Sequence, residues 1–343
     1  MAVLEIALII GTSQTSIYLS GSGVVLKEPT VVAFSDDRRR LRAVGREAVE
    51  MLGKTPEHTV IVSPVSEGVI ADPGAAGVLV SEFVRRVIPD RYIFKPRIRA
   101  VVGLPMGLDE EERRMYENVC FRAGINEISF VENIMLTAVG VEMPVDEPTA
   151  SMVVNIGGGI SEIAVVSLCG IVDGCGVTIG GNMMDNAVID SFIGKYNLRI
   201  GTNTARRLKH DIGSLYSNDS SSAEVKGVDV RTKRPVSETA YAADLQSVLE
   251  PYYERICDAA ENIINGLKPE LAGDVYRTGI CLAGGGSQVT GLPELFSERL
   301  HLPVYLAEEP EYAAILGAGK LLSDAALRRE LIGWPGAAGC TRK

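Results

Sequence analysis

One stretch constrains the chain more than any other. An apolar run, residues 151–154, leads into Asn155-Ile156-Gly157-Gly158-Gly159-Ile160-Ser161-Glu162, and a second apolar run, 163–168, leads out. That pattern is strand, tight turn, strand. Glycines at such a turn let backbone N–H groups approach an anion with no Cβ in the way, so the turn can cradle a phosphate. A similar unit opens the chain, where residues 4–10 are apolar, Gly11-Thr12-Ser13-Gln14-Thr15 is small and hydroxyl-rich, and residues 16–19 and 24–26 resume the strand pattern. A third cluster, Gly284-Gly285-Gly286-Ser287, follows the run 279–283. Three such units predict two similar halves closing on a nucleotide.

The rest of the chain bounds the alternatives. At 343 residues with 46% hydrophobic content, there is material for two domains with their own cores. A formal net charge of −10 offers no basic surplus to exchange for phosphate counterions, which argues against nucleic acid as a partner. The six cysteines lie far apart, without C-x-x-C pairs or metal-ligand spacing to a histidine, and read as reduced core fillers with no metal site. No run reaches the roughly 18 apolar residues of a membrane span, and residues 1–11 lack a basic n-region and a cleavage site. A cytoplasmic location is expected.

Strand and helix signals alternate along the chain, predicting an α/β fold. Helices are expected over residues 45–52, around 78–88, over 109–123 behind four consecutive acids, and over 182–196, 204–215 and about 245–264. Residues 225–239 alternate as a small hairpin.

This order of motifs resembles the actin-fold nucleotide-binding superfamily and, within it, the MreB family of bacterial actins. The matching text includes Gly11-Thr12 with Thr15, Lys27 to Val31, Gly53-Lys54-Thr55-Pro56, Asp72, Phe94-Lys95-Pro96-Arg97, the three glycine clusters and Gly317-Ala318-Gly319. The resemblance implies an actin-like fold: two related domains, each with a five-stranded mixed sheet and helices, split by a nucleotide cleft. It divides the chain into subdomain IA (1–32, 66–144 and 320–336), IB (33–65), IIA (145–181 and 245–319) and IIB (182–244), with a disordered tail from 337 to 343. It also implies self-assembly into protofilaments, attachment to the inner face of the cell membrane, and work with cell-wall elongation proteins in setting cell shape.

Departures from the family pattern fall on one task. The first phosphate turn normally starts with an aspartate that holds the hydrated magnesium shell, and here stands Ile9. The second starts with an aspartate, replaced by Asn155. A water-orienting glutamate is replaced by Asn133, with Glu132 one position early. Phosphoryl transfer depends on a metal to neutralise charge and a polar group to orient the nucleophile. No catalytic residue is therefore assigned, Mg2+ is not expected to be held, and Glu132, Glu162 or Asp185 are the carboxylates that could stand in. Binding of ATP or ADP can survive, through Gly11, Thr12, Ser13, Gly157, Gly158, Gly159, Gly284, Gly285, Gly286 and Ser287. Lys209 matches a family lysine lying along the nucleotide. Arg206 replaces a glutamate for the ribose hydroxyls and cannot accept hydrogen bonds.

A second patch, Tyr92-Ile93-Phe94 beside Lys95 and Arg97, suits insertion into an anionic membrane interface. The expected function is a membrane-associated MreB-like scaffold that binds nucleotide structurally, with hydrolysis weak or lost, alone or co-polymerised with an active paralogue. Two alternatives stand beside it: an active filament-forming ATPase of the same family, and a monomeric actin-fold chaperone-like factor.

Overall fold

The computed structural model describes residues 2–52, 59–88, 96–332 and 339–341. The segment Tyr92-Ile93-Phe94 and the motif Gly53-Lys54-Thr55-Pro56 lie outside the described residues.

The two halves share one sheet topology. In the first half, strand Val3–Ile10 pairs parallel with Arg97–Leu104 and antiparallel with Gln14–Leu19; Gly23–Pro29 and Glu127–Glu132 extend the sheet on either side. In the second half, Ser151–Ile156 pairs parallel with Ile280–Ala283 and antiparallel with Ser161–Ser167; Gly170–Val177 and Val304–Leu306 take the corresponding outer places. Small three-stranded sheets sit in each half, one from Val32–Ser35, Leu41–Val44 and Thr59–Val62, the other from Leu198–Arg199, Ser222–Asp229 and Pro235–Tyr241.

One difference from the sequence reading is a sixth strand on the first sheet. Gly339–Thr341 pairs antiparallel with Glu127, Ile128 and Ser129, where residues 337–343 were expected to be a disordered tail. Glu127–Glu132 would otherwise be an edge strand, whose free N–H and C=O groups form a template for any extended segment within reach.

Strand alternation explains how the halves hold together. Ile6, Leu8 and Ile10 face the core of the first half, and Met152, Val154 and Ile156 face that of the second. The intervening residues Ala7 and Val153 point the other way, into a third core shared between the sheets with Val101, Ala164, Cys281 and Ile315. Strands buried on both faces read as near-continuous apolar runs, which is why 4–10 and 151–154 look as they do.

Two helices cross beside this shared core. Asn133–Gly140 meets Ala313–Ser323 so closely that a Cβ on Gly140 would lie 1.8 Å from the Ala313 carbonyl oxygen, and one on Gly317 would lie 1.8 Å from that of Leu136. Backbones can approach to this distance only at glycine. Elsewhere the helices start where their caps dictate: Asp109 and Glu112 form a reciprocal capping box at 2.8 and 2.9 Å before Glu110–Arg122, and Asp72 accepts from the Ala75 amide at 2.9 Å before Pro73–Val87. Gly181–Tyr196, Thr202–Ile212, Ala242–Gly266, Pro269–Thr278 and Leu292–Leu300 are helices of the second half. Cys120, Cys257 and Cys281 are buried free thiols, and burial pushes each up to about 12, so they pack rather than react.

Candidate functional site: a cleft between paired glycine turns

The first two glycine turns are built alike. Gly11 N–H donates to the Gln14 carbonyl at 3.0 Å, and Gly157 N–H donates to the Ile160 carbonyl at 2.9 Å. The first is pinned from below, since the Thr30 hydroxyl donates to the Gly11 carbonyl at 2.7 Å and lies 3.0 Å from the Thr15 hydroxyl. The second leads into the helix Gly181–Tyr196, whose first amides return to it: Gly181 N–H donates to Gly157 O at 3.0 Å and Asn182 N–H to Gly158 O at 2.8 Å.

The turns face each other across the cleft. A Cβ on Gly158 would lie 2.0 Å from Ser13 Oγ, and one on Gly159 would lie 2.4 Å from Thr12 Oγ1. Neither position can take a side chain unless the facing residue shifts. Thr12 Oγ1 also accepts from the Gly68 amide at 3.0 Å, and the Ser13 hydroxyl donates to Asn182 Oδ1 at 2.9 Å.

The third cluster forms the short helix Gly285–Gln288 against the second turn. A Cβ on Gly284 would lie 2.6 Å from Asn155 Oδ1, and the Tyr253 hydroxyl donates to the Gly286 carbonyl at 2.8 Å. One cleft is thus lined by Gly11, Thr12, Ser13, Gly157, Gly158, Gly159, Gly284, Gly285, Gly286, Arg206 and Lys209 together. Ser287 stands apart from that lining: it is buried, its hydroxyl donating to Gly284 O at 2.7 Å, so it braces the turn.

Ile9, Asn133 and Asn155 line the same cleft. Ile9 Cδ1 and Asn133 Oδ1 close over Gly103, where a Cβ would meet them at 2.4 and 2.1 Å. Asn133 Oδ1 is buried with no hydrogen-bond partner. Asn155 Nδ2 donates to Glu162 Oε2 at 3.3 Å, and Glu162 Oε1 accepts from the Met106 amide at 2.9 Å. Burial pushes Glu162 up to about 7, against the pull of those two bonds, so near neutrality it is about half protonated. Glu132 ends its strand and stands at the N-cap of the helix Asn133–Gly140 without a capping side-chain hydrogen bond, and it is not part of the lining.

The cations are arranged around Asp185, which is fully buried. Lys209 Nζ lies 2.7 Å from Asp185 Oδ1 and donates to the Gly181 carbonyl at 2.8 Å. Arg206 Nε donates to Asp185 Oδ2 at 3.0 Å and Nη2 to Asn182 Oδ1 at 3.0 Å. Lys27, at the opposite wall, pairs with Glu311 at 2.8 Å and lies 3.6 Å over the Tyr312 ring. Lys27, Asn182 and Ile160 are lining residues that sequence reasoning passed over. Lys27 stands within the matched segment 27–31, but the other two carry no signal of their own. His210, exposed on its helix, sits at the rim.

A divalent cation and its water shell need ionised oxygen ligands or acceptors around them. Where the family has carboxylates the lining offers Ile9 and two amides, with neutral hydroxyls and Gln14 nearby, while Glu162 is held toward its neutral form, Asp185 is occupied by two cations and Glu311 is paired with Lys27. No group of three Asp, Glu, His or Cys side chains converges as a metal site among the described residues. The donor set does not fit magnesium. It does fit the phosphates of a nucleotide, because glycine backbones, hydroxyls and two cations converge where no Cβ can stand.

Two topologically matched halves that close paired glycine turns on one cleft define an actin-like protein. The sequence model of one family, MreB/Mbl protein, matches residues 3–330. The chain is 36% identical over 327 residues to the cell shape-determining protein MreB of Escherichia coli strain K12, covering 93% of each chain. It is 31% identical to the cell shape-determining protein Mbl of Bacillus cereus, over 93% of this chain and 96% of that one. Among solved structures, MreB5 of Spiroplasma citri bound to ADP superposes with a TM-score of 0.88 at 28% identity, covering 96% of this chain and 98% of that one, and the same protein has been crystallised with AMPPNP. The chain belongs to the MreB/Mbl family.

Proposed function

We propose that this chain is a cell-shape scaffold of the MreB kind that self-assembles into filaments, binds ATP or ADP between its glycine turns as a structural ligand, and hydrolyses it slowly or not at all. The observation that carries this reading is the pairing of an intact phosphate cradle with a floor of Ile9, Asn133 and Asn155. The relatives named for cell shape, and MreB5 with its bound ADP and AMPPNP, support the general role and the nucleotide. Transition-state stabilisation lost with a metal and a water-orienting carboxylate is worth several kcal/mol, and each 1.36 kcal/mol is about tenfold in rate.

On this reading the filament lies against the inner face of the membrane through Tyr92-Ile93-Phe94. One such loop is a weak anchor, and its repetition along a polymer multiplies the attachment. Among the described residues no helix is long and apolar enough to cross a membrane. Co-polymerisation with an active paralogue, and contact with cell-wall elongation proteins, follow from the same reading.

Pelleting of purified chain with ADP or ATP, with and without anionic vesicles, tests the scaffold. Polymer should pellet, and Tyr92→Ser/Ile93→Ser/Phe94→Ser should release it from vesicles while leaving it polymeric. A chain that stays monomeric under all conditions refutes the filament and favours a monomeric factor.

A second reading has an observation of its own. The orphaned oxygen of Asn133 is an acceptor beside the cleft floor, and an amide can orient an attacking water, so an active filament-forming ATPase is the alternative. Phosphate release separates the two.

A further inference from the structure

Two cations and one carboxylate meet beside the paired turns, and their arrangement is unbalanced. Asp185, with a fully buried side chain, receives both Lys209 at 2.7 Å and Arg206 at 3.0 Å, so one positive charge is left without a counter-charge in this cluster. The surplus is directed at the phosphate turns. Arg206 Nη2 and the Ser13 hydroxyl donate to the same oxygen, Asn182 Oδ1, at 3.0 and 2.9 Å, which places the guanidinium one side chain away from the first turn. Lys209 donates to Gly181 O, whose own amide bonds Gly157 of the second turn. Other ionisable groups lining the cleft do not absorb the charge: His210 is at the rim, Glu162 is bonded by Met106 and Asn155, and Glu311 on the opposite wall is taken by Lys27.

Resting on the nucleotide reading above, we infer that Arg206, with Lys209, takes the place of a divalent cation here, so that the cleft binds a nucleoside di- or triphosphate as the metal-free anion. The carboxylates of the same cleft are already engaged, Asp185 and Glu311 by cations and Glu162 by Met106 and Asn155, and the cleft contains the cation that makes a metal unnecessary. Arginine is suited to the task, because its planar fork stays charged and matches phosphate oxygens two at a time. The Lys209 ammonium is held below its ordinary value, first by burial and further by the neighbouring Arg206 charge, with Asp185 opposing. An arriving phosphate would relieve that cost. Asn182 Oδ1 currently accepts from Nη2 and from Ser13, and both donors become free to turn to a ligand oxygen.

The test is equilibrium binding of ADP and of ATP to the purified full chain, measured in parallel with millimolar magnesium and with excess EDTA. For the unaltered chain the two dissociation constants should agree within about threefold. Arg206→Gln should weaken binding in EDTA by about tenfold or more, and Arg206→Lys should recover most of the loss. Unaltered chain whose binding falls tenfold or more in EDTA overturns the inference while leaving the nucleotide cleft standing, as does an Arg206→Gln chain that binds like the unaltered one in EDTA. Absence of binding in both buffers defeats the nucleotide cleft and the inference with it. Thermal melting without ligand shows whether the variants fold, and the magnesium-to-EDTA ratio of the unaltered chain decides the matter even if they do not.

Discussion

The backbone amide of Met106 donates to Glu162 Oε1 at 2.9 Å, and this bond ties the end of the Arg97–Leu104 strand in one half to the Ser161–Ser167 strand in the other. A buried carboxyl therefore sits on the seam of the cleft, pushed up to about 7 by burial.

Stability should fall as pH rises through that seam. In the unfolded chain Glu162 ionises near 4.5, whereas in the folded chain it keeps its proton until about 7. The folded state binds more protons in between, so stability is highest below about pH 4.5 with respect to this group and is lost between there and pH 7, by roughly 3 kcal/mol. Glu162→Gln keeps an acceptor for Met106 and should flatten the dependence. Denaturant midpoints from pH 5 to 8 for both chains check it; parallel slopes would assign the pH dependence elsewhere.

Gly158→Ala should part the turns. Its Cβ would fall 2.0 Å from Ser13 Oγ and 2.7 Å from Ser13 Cβ, and a short serine cannot swing clear. The expected cost is roughly 1–3 kcal/mol of stability, together with weaker ADP binding. Ser13→Gly in the same chain removes both clashing atoms and should restore most of the melting temperature, which a single-site defect at Gly158 would not allow.

The crossing of Asn133–Gly140 with Ala313–Ser323 should be less forgiving. Alanine at Gly317 or Gly140 meets a carbonyl oxygen at 1.8 Å, and backbone has no rotamer to yield. Each substitution should cost about 3 kcal/mol or more, or abolish soluble expression. Urea unfolding of Gly317→Ala with the unaltered stability would show that the helices can slide apart.

Asn133→Ala distinguishes the two readings of the cleft. Asn133 Oδ1 has no partner to lose, so removing the amide should change stability by no more than about 1 kcal/mol. It should also leave phosphate release at its starting level. A drop in release on this substitution would make Asn133 the water-orienting group of a working ATPase.

Much of the frame was legible in the chain because its signals are local. Apolar runs separated by glycine turns marked both halves, and the acids at 109–112 marked a helix start that Asp109 and Glu112 do cap. What escaped is made by side chains that meet only after folding. Glu162 and Met106 are 56 positions apart, and Ser13 and Asn182 are 169 apart. Arg206 was legible as an oddity, but its tie to Asn182 and the first turn depends on where two helices of the second half sit. Ser287 was expected among the nucleotide contacts by its place in a motif, whereas its hydroxyl turns inward to Gly284. The edge strand at Gly339–Thr341 had no apolar periodicity to announce it.

Phosphate release from ATP by the purified chain, with magnesium and under polymerising conditions, bears most directly on the idea that the nucleotide cradle persists without its hydrolytic machinery. The unaltered chain should release phosphate on the order of a hundredfold more slowly than an MreB relative whose phosphate turns keep their aspartates, measured side by side. Release at the relative's rate, abolished by Glu132→Ala, would contradict it.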